Sequence, residues 1–234
     1  MSLLKFSIKM NPSHSSSGSI FITTAILISA CTLSGCLSRP SLNRQTFAFT
    51  APEQMASSNA AIERVLGIRN LEIAAPFEGR PLVYRTGDYT YVRDPYAAFL
   101  DTPAEGLLIT IREWLRDQAS FVAVVERSSS LKPNTFAEIS VTRLYGDFRQ
   151  PQRPVAVLTM RFRFFDAPNA LPGKVLLERE YARSVPLKSA TPTALMDGWN
   201  QALMQVLTQV ISDFRHSESE VPRERAQLDV RKVR

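Results

Sequence analysis

Two cysteines and two histidines in 234 residues leave little material for metal or disulfide chemistry. His14, Cys31, Cys36 and His216 do not fall at the spacings of a four-ligand zinc site, so structural zinc is excluded. No run of eighteen or more uninterrupted apolar residues exists, which excludes a polytopic membrane protein. Glycine is sparse at nine residues, and none of the glycine-rich phosphate loops is present. Neither is a Gly-x-Ser-x-Gly elbow or a His-Glu-x-x-His pair. An energy-coupled function would therefore need an ATPase on another chain. Charge of one sign is not concentrated either. The formal charge is +6, but residues 1–35 hold Lys5 and Lys9 with no acid, and the last eighteen residues mix five basic with four acidic side chains. Without a Lys/Arg cluster there is no electrostatic footprint for phosphates, so no nucleic-acid partner is expected.

What is present points to a packed domain. Hydrophobic residues make up 44% of the chain and charged ones 21%. That composition, at this length, suits one large domain or two small ones on a prior of about 150 residues per domain.

The amino terminus has the order of a secretory signal. A lysine-bearing, serine-rich start precedes an apolar stretch, Ile20–Ala30, and small residues lead to Cys36. Leu33-Ser34-Gly35-Cys36 fits a lipobox, in which an apolar residue and two small ones precede the cysteine whose sulfur is acylated. Residues 1–35 are expected to be a signal peptide and 36–44 a lipidated tether. Ile28-Ser29-Ala30-Cys31 fits the same pattern, so Cys31 is the alternative lipidation site. Cys36 is preferred because its apolar region is longer and cleavage there leaves no spare thiol in an oxidising compartment. Leu37 is not the aspartate that retains such proteins at the inner membrane of enteric bacteria, so the outer membrane is the expected destination.

Further along, Gln45–Thr50 alternates like a strand, residues 51–59 read as a loop, and Val65–Ala75 reads as a second strand. Leu82–Arg93 predicts two strands around a Thr86-Gly87-Asp88 turn. Thr102-Pro103-Ala104-Glu105 is a capping box with proline at the first helical position. It opens a helix to about Gln118 with Leu107, Leu108, Ile111, Trp114 and Leu115 on one stripe. Phe121–Glu126 follows as a strand, and the strand–helix–strand order suggests a crossover with parallel neighbours. Thr135–Phe148, Val155–Asp166 and Lys174–Pro186 are three long strand-like runs. The last two should form a hairpin in which paired numbers sum to 341, setting Arg161 against Glu180 and Arg163 against Glu178, with Phe162 and Phe164 on the other face. Thr191-Pro192 opens a long helix predicted to end near Phe214. Residues 45–216 are then the single domain, and 217–234 a disordered charged tail. His216 is expected to be a solvated cation at the helix end. The fold class is α+β: a mixed, largely antiparallel sheet with two main helices packed on it.

With these residues in view, the chain resembles the ABC-type transport auxiliary lipoprotein family of the paraquat-inducible protein C type. The resemblance spans about Val65 to Phe214. It rests on Gly79 to Gly87 (GRPLVYRTG), Asp94-Pro95-Tyr96, Trp114-Leu115 before Phe121, Leu144 to Arg149 (LYGDFR), Arg179-Glu180-Tyr181 and Gly198 to Leu203 (GWNQAL) behind a lipobox. It implies a fold similar to the amino-terminal domain of TolB. It further implies a non-enzymatic, lipid-anchored protein facing the periplasm, with no cofactor and no catalytic residues. The implied partners are a protein with a mammalian-cell-entry (MCE) domain and, indirectly, an ABC permease and its ATPase. The implied task is docking that system at the outer membrane for traffic of phospholipid or other hydrophobic molecules. Three other readings remain: a lipid-binding carrier with its own apolar pocket, a periplasmic hydrolase, which would need clustered acids with perturbed pKa values in a cleft, and a structural envelope lipoprotein. A continuous apolar cavity between helix and sheet would favour the carrier, and a packed core with an exposed apolar patch would favour docking.

Overall fold

A computed structural model describes residues 44–50, 62–119, 121–126, 129–166 and 173–232, with side chains as far as 218. Cys31, Cys36, the leader and the loop 51–59 lie outside these residues. The described residues form strands β1 (Gln45–Phe47), β2 (Ile62–Ile73), β3 (Pro81–Arg85) and β4 (Tyr91–Phe99), helix α1 (Pro103–Gln118), strands β5 (Phe121–Val125), β6 (Thr135–Asp147), β7 (Val155–Asp166) and β8 (Val175–Pro186), and helix α2 (Pro192–Lys232).

Sheet topology follows from the length of β6. One edge of this thirteen-residue strand pairs with β7 along its whole course, from Thr135 opposite Asp166 to Asp147 opposite Val155. The other edge is shared. β2 runs parallel to Thr135–Val141, and β3 runs parallel to Gly146–Asp147. Between them the chain leaves the ladder through a 3₁₀ turn, Ala75–Phe77, where Ala74 N–H still donates to Val141 C=O at 2.9 Å. The sheet therefore forks from β6: β5 extends one branch beyond β2, while β4 and then β1 extend the other beyond β3. β8 closes the opposite side against β7.

The expected mixed sheet with two helices is present, and its longest ladders, β6–β7 and β7–β8, are antiparallel. The predicted hairpin register holds, with Arg161 opposite Glu180 and Arg163 opposite Glu178. The two pairs sit at 3.4 and 3.2 Å on the outer face, while Phe162 and Phe164 are fully buried on the inner one. The crossover differs from expectation. Helix α1 does join β4 to β5, but the parallel partner of β5 is β2, and β4 lies on the other branch of the fork. A sixteen-residue helix is long enough to carry the chain across the sheet, so chain order does not dictate adjacency. Strand β4 also runs past Arg93 to Phe99, with Pro95 where its pairing to β3 lapses between Arg93 and Ala98.

Both helices pack on the inner face. α1 starts at the predicted capping box, with Thr102 Oγ1 accepting from Glu105 N–H and the Glu105 carboxylate accepting from Thr102 N–H. It buries Leu107, Ile111, Trp114 and Leu115. α2 lies against β7 and β8 through Leu195, Trp199, Ala202, Leu203, Val206, Val210 and Phe214. Each such fully buried large side chain contributes about 1.5–3 kcal/mol relative to exposure. Trp199 stacks 5.6 Å from Phe99, and its indole N–H donates to Val157 C=O at 3.2 Å. Close approach of α2 to the sheet requires Gly198: a Cβ there would overlap Leu187 and stand 2.7 Å from the Ala156 methyl.

The helix does not stop near Phe214. It continues to Lys232, so backbone helix replaces the expected disordered tail, and His216 lies within the helix, with Nδ1 2.6 Å from Ser212 C=O. The apolar stripe ends at Phe214, but polar attachment goes on. Arg64 of β2 bonds Asp166 of β7 at 2.6 Å and Glu218 of α2 at 2.9 Å. Residues 215–232 contain no glycine to terminate the helix. One turn earlier Asp213 accepts from Arg179 at 2.7 Å, Tyr181 at 2.9 Å and Gln209 at 2.9 Å. Desolvation pushes its carboxyl up, and these hydrogen bonds outweigh that push and hold it below the usual carboxylate range.

Gly198→Ala should destabilise the domain by about 1–3 kcal/mol in urea titrations, through overpacking against Ala156 and Leu187. Asp213→Asn should cost about 1–3 kcal/mol at pH 7. Because the folded-state pKa of Asp213 is depressed, its contribution is complete above the unfolded value of about 3.9 and lost as pH falls through the folded value. The gap between wild type and variant should therefore narrow below about pH 4.

Candidate docking surface

Three of the sequence segments that carry the family resemblance meet at the β3–β4 end of the fork. Strand β3 turns at Thr86–Thr90, closed by Thr86 N–H donating to Thr90 C=O at 3.0 Å, and β4 returns. The tip is fastened to the end of β6. Arg149 donates to both oxygens of Asp147, at 3.0 and 2.8 Å, and to Asp88 at 2.9 Å. That guanidinium holds the Asp147 carboxyl below its usual range. Arg85 donates to the Asp88 C=O at 2.8 Å.

Below the tip, the Tyr84 hydroxyl donates to Asp94 at 2.6 Å and its ring stacks 4.8 Å from Phe148. Burial, and then the neighbouring Asp94 carboxylate, push the Tyr84 phenol far above its ordinary value, so it stays a neutral donor. The other Asp94 oxygen accepts from the N–H groups of Tyr96 and Ala97 at 2.7 and 3.0 Å, which fixes the bend at Asp94-Pro95-Tyr96. On the outer face Tyr145 stacks on Phe77 at 5.7 Å and meets Tyr91 edge-on at 5.5 Å. A cavity of about 270 Å³ lies there, lined by Pro76, Phe77, Val83, Tyr91 and Arg93.

This rigid frame presents apolar surface to solvent. Five of the nine exposed large hydrophobic residues among those described, Tyr89, Tyr91, Val92, Tyr96 and Leu100, fall between positions 89 and 100. Tyr89 is 98% exposed. Tyr91, held by Phe77 and Tyr145 and still 47% exposed, is the kind of side chain protein interfaces favour, offering a large area and a polar tip at little entropic cost. The sequence marked Tyr89–Arg93 as strand-like, two residues longer than the strand at its start, but carried no sign of which faces would stay uncovered.

The other segments serve the interior. Trp114 and Trp199 fill the core, and Tyr181 anchors Asp213. The helix–sheet interface is closed by Trp199, Phe162, Phe164 and Phe214. Among the described residues no cluster of three or more His, Cys, Asp or Glu could hold a metal ion, and no helix is long and apolar enough to cross a membrane. Cys36 and its alternative Cys31 lie outside the described residues, so the anchor stands as an expectation from sequence.

A family model described as an ABC-type transport auxiliary lipoprotein component matches residues 47–211. Among solved structures the chain is similar to protein XCC0632 from Xanthomonas campestris, at 16% identity and a TM-score of 0.65 over 76% of this chain and 99% of that one. It is also similar to a crystal structure of an uncharacterized protein, at 15% identity and a TM-score of 0.55 over 66% of this chain and 94% of that one. At these identities the likeness establishes the fold alone. No curated protein sequence matches.

Tyr84→Phe should lower stability by about 1–3 kcal/mol in chemical denaturation, since it removes a hydrogen bond to a charged acceptor from a half-buried site. Tyr89→Ala should leave the midpoint within about 0.5 kcal/mol of wild type, as expected of a residue that packs against nothing.

Proposed function

The chain belongs to the ABC-type transport auxiliary lipoprotein family, and from that membership we propose that it is a tethered docking subunit of an MCE-type ABC transport system. Acylation of Cys36 would hold the domain at the inner leaflet of the outer membrane, facing the periplasm. Several acyl chains, at about 0.8 kcal/mol per buried CH₂, make such an anchor stable. The domain would receive an MCE-domain partner there, with the permease and ATPase engaged indirectly, so that phospholipid or another hydrophobic cargo crosses with little exposure to water.

The observation that carries docking is the group of exposed tyrosines on the β3–β4 hairpin, whose backbone is fastened by Arg149 to Asp88 and by Tyr84 to Asp94. A preorganised surface loses little entropy on binding. The closed helix–sheet core speaks for docking over a carrier that would hold cargo between those layers.

Co-purification of the lipidated protein from its native envelope tests the reading. Tyr89→Ala with Tyr91→Ala should reduce recovery of an MCE-domain partner at least tenfold while the domain stays folded; unchanged recovery would move the docking site elsewhere, and no such partner with wild type would end the proposal. Palmitate labelling should disappear in Cys36→Ala, whereas label persisting there and vanishing in Cys31→Ala would relocate the anchor.

A further inference from the structure

The cavity of about 270 Å³ beside the hairpin is made by two parts of the chain that meet only in the fold. One wall is the 3₁₀ turn, where Phe77 N–H donates to Ala74 C=O at 2.8 Å and sets Pro76 and Phe77 in place. The other wall is the hairpin. Val83 of β3 pairs with Arg93 of β4, and Tyr91 lies two residues before Arg93, so the pleat puts all three on one face. The rings of Phe77 and Tyr91 meet edge-on at 6.3 Å, and Tyr145 backs Phe77 at 5.7 Å. Phe77, Val83 and Tyr145 are buried whereas Tyr91 is exposed, which gives the cavity a packed floor and an open rim.

One charge stands at that rim. Arg93 is exposed, and its Nη2 donates to Pro76 C=O at 3.2 Å, joining the strand to the turn beside the opening. Among the described residues no carboxylate forms an ion pair with it. Nearby acids are engaged elsewhere: Asp94 by the Tyr84 hydroxyl and the N–H groups of Tyr96 and Ala97, Asp88 and Asp147 by Arg149. A carbonyl oxygen positions a guanidinium without neutralising it. Four apolar side chains and one uncompensated cation therefore share a single opening. Its volume falls below the roughly 300–1,000 Å³ of small-molecule sites, so it suits one side chain better than a lipid cargo. Interfaces concentrate affinity where a large apolar side chain fills a preformed pocket of this kind.

We propose that this cavity receives one large apolar side chain of the docking partner, and that a carboxylate close to it in the partner pairs with the Arg93 guanidinium. Arginine and carboxylate match in a two-bond geometry that adds specificity to the apolar contact. The inference rests on the docking reading and names what the partner must carry.

The test uses the full lipidated chain and the partner that co-purifies with wild type. Arg93→Glu should lower recovery of that partner at least tenfold with an unchanged thermal midpoint, and Arg93→Lys, which keeps the charge, should lose clearly less. Benzoylphenylalanine in place of Tyr89 should cross-link a partner segment holding a large apolar residue close to Asp or Glu. Reversing that partner acid to Arg should restore binding to Arg93→Glu. Full recovery with Arg93→Glu while Tyr89→Ala with Tyr91→Ala reduces it would overturn this inference and leave docking standing. Equal losses in Arg93→Lys and Arg93→Glu, or a cross-linked segment lacking either residue type, would overturn it as well. Full recovery in all these variants would end both readings of the hairpin.

Discussion

The divided edge of β6 is the constraint on which the rest of this molecule depends. A single strand is long enough to pair with β2, release the chain into a 3₁₀ turn, and then pair with β3. Had β2 and β3 formed one unbroken partner, the sheet would have had one branch and one outward direction. The interruption puts β3, β4 and β1 on one branch and β2 and β5 on the other, with α1 packed on β2 and β5 and α2 on β7 and β8. Backbone pairing along β6 and β7 leaves few unsatisfied groups in the interior, where each would cost about 1–3 kcal/mol.

Legibility from sequence tracked the range of the interaction involved. The capping box at Thr102 and Glu105 is contained within four residues and held as read. The β7–β8 register was readable because opposite charges at Arg161, Arg163, Glu178 and Glu180 coincide with an alternating pattern that tolerates only one pairing. The partner of β5 was not, since a helix long enough to span the sheet uncouples order in the chain from order in space. The end of α2 was misjudged for a different reason: an apolar stripe records only burial, and beyond Phe214 the helix is held by Arg64 and Glu218 instead.

For the candidate surfaces the division is similar. Segments 79–87, 94–96 and 144–149 could be picked out along the chain, and folding brings them together at one end of the fork. What was not visible is that the tyrosines between them would remain uncovered, because exposure depends on what fails to pack there. Gly198 shows the same limit. The need for a glycine there comes from Ala156 and Leu187, which lie outside its helix.

Across the outer face, beyond the tyrosine hairpin, runs a row of alternating charge: Glu138, Arg163 and Glu178, with Arg161 and Glu180 beside it. These pairs add little to stability in water. Their consequence is insulation. Any body that spread from the tyrosine hairpin along the sheet would have to strip the solvent from this row, at a cost of several kcal/mol per ion left imperfectly matched. A body seated on the hairpin is thus confined to that end of the sheet by the cost of dehydrating what lies beside it.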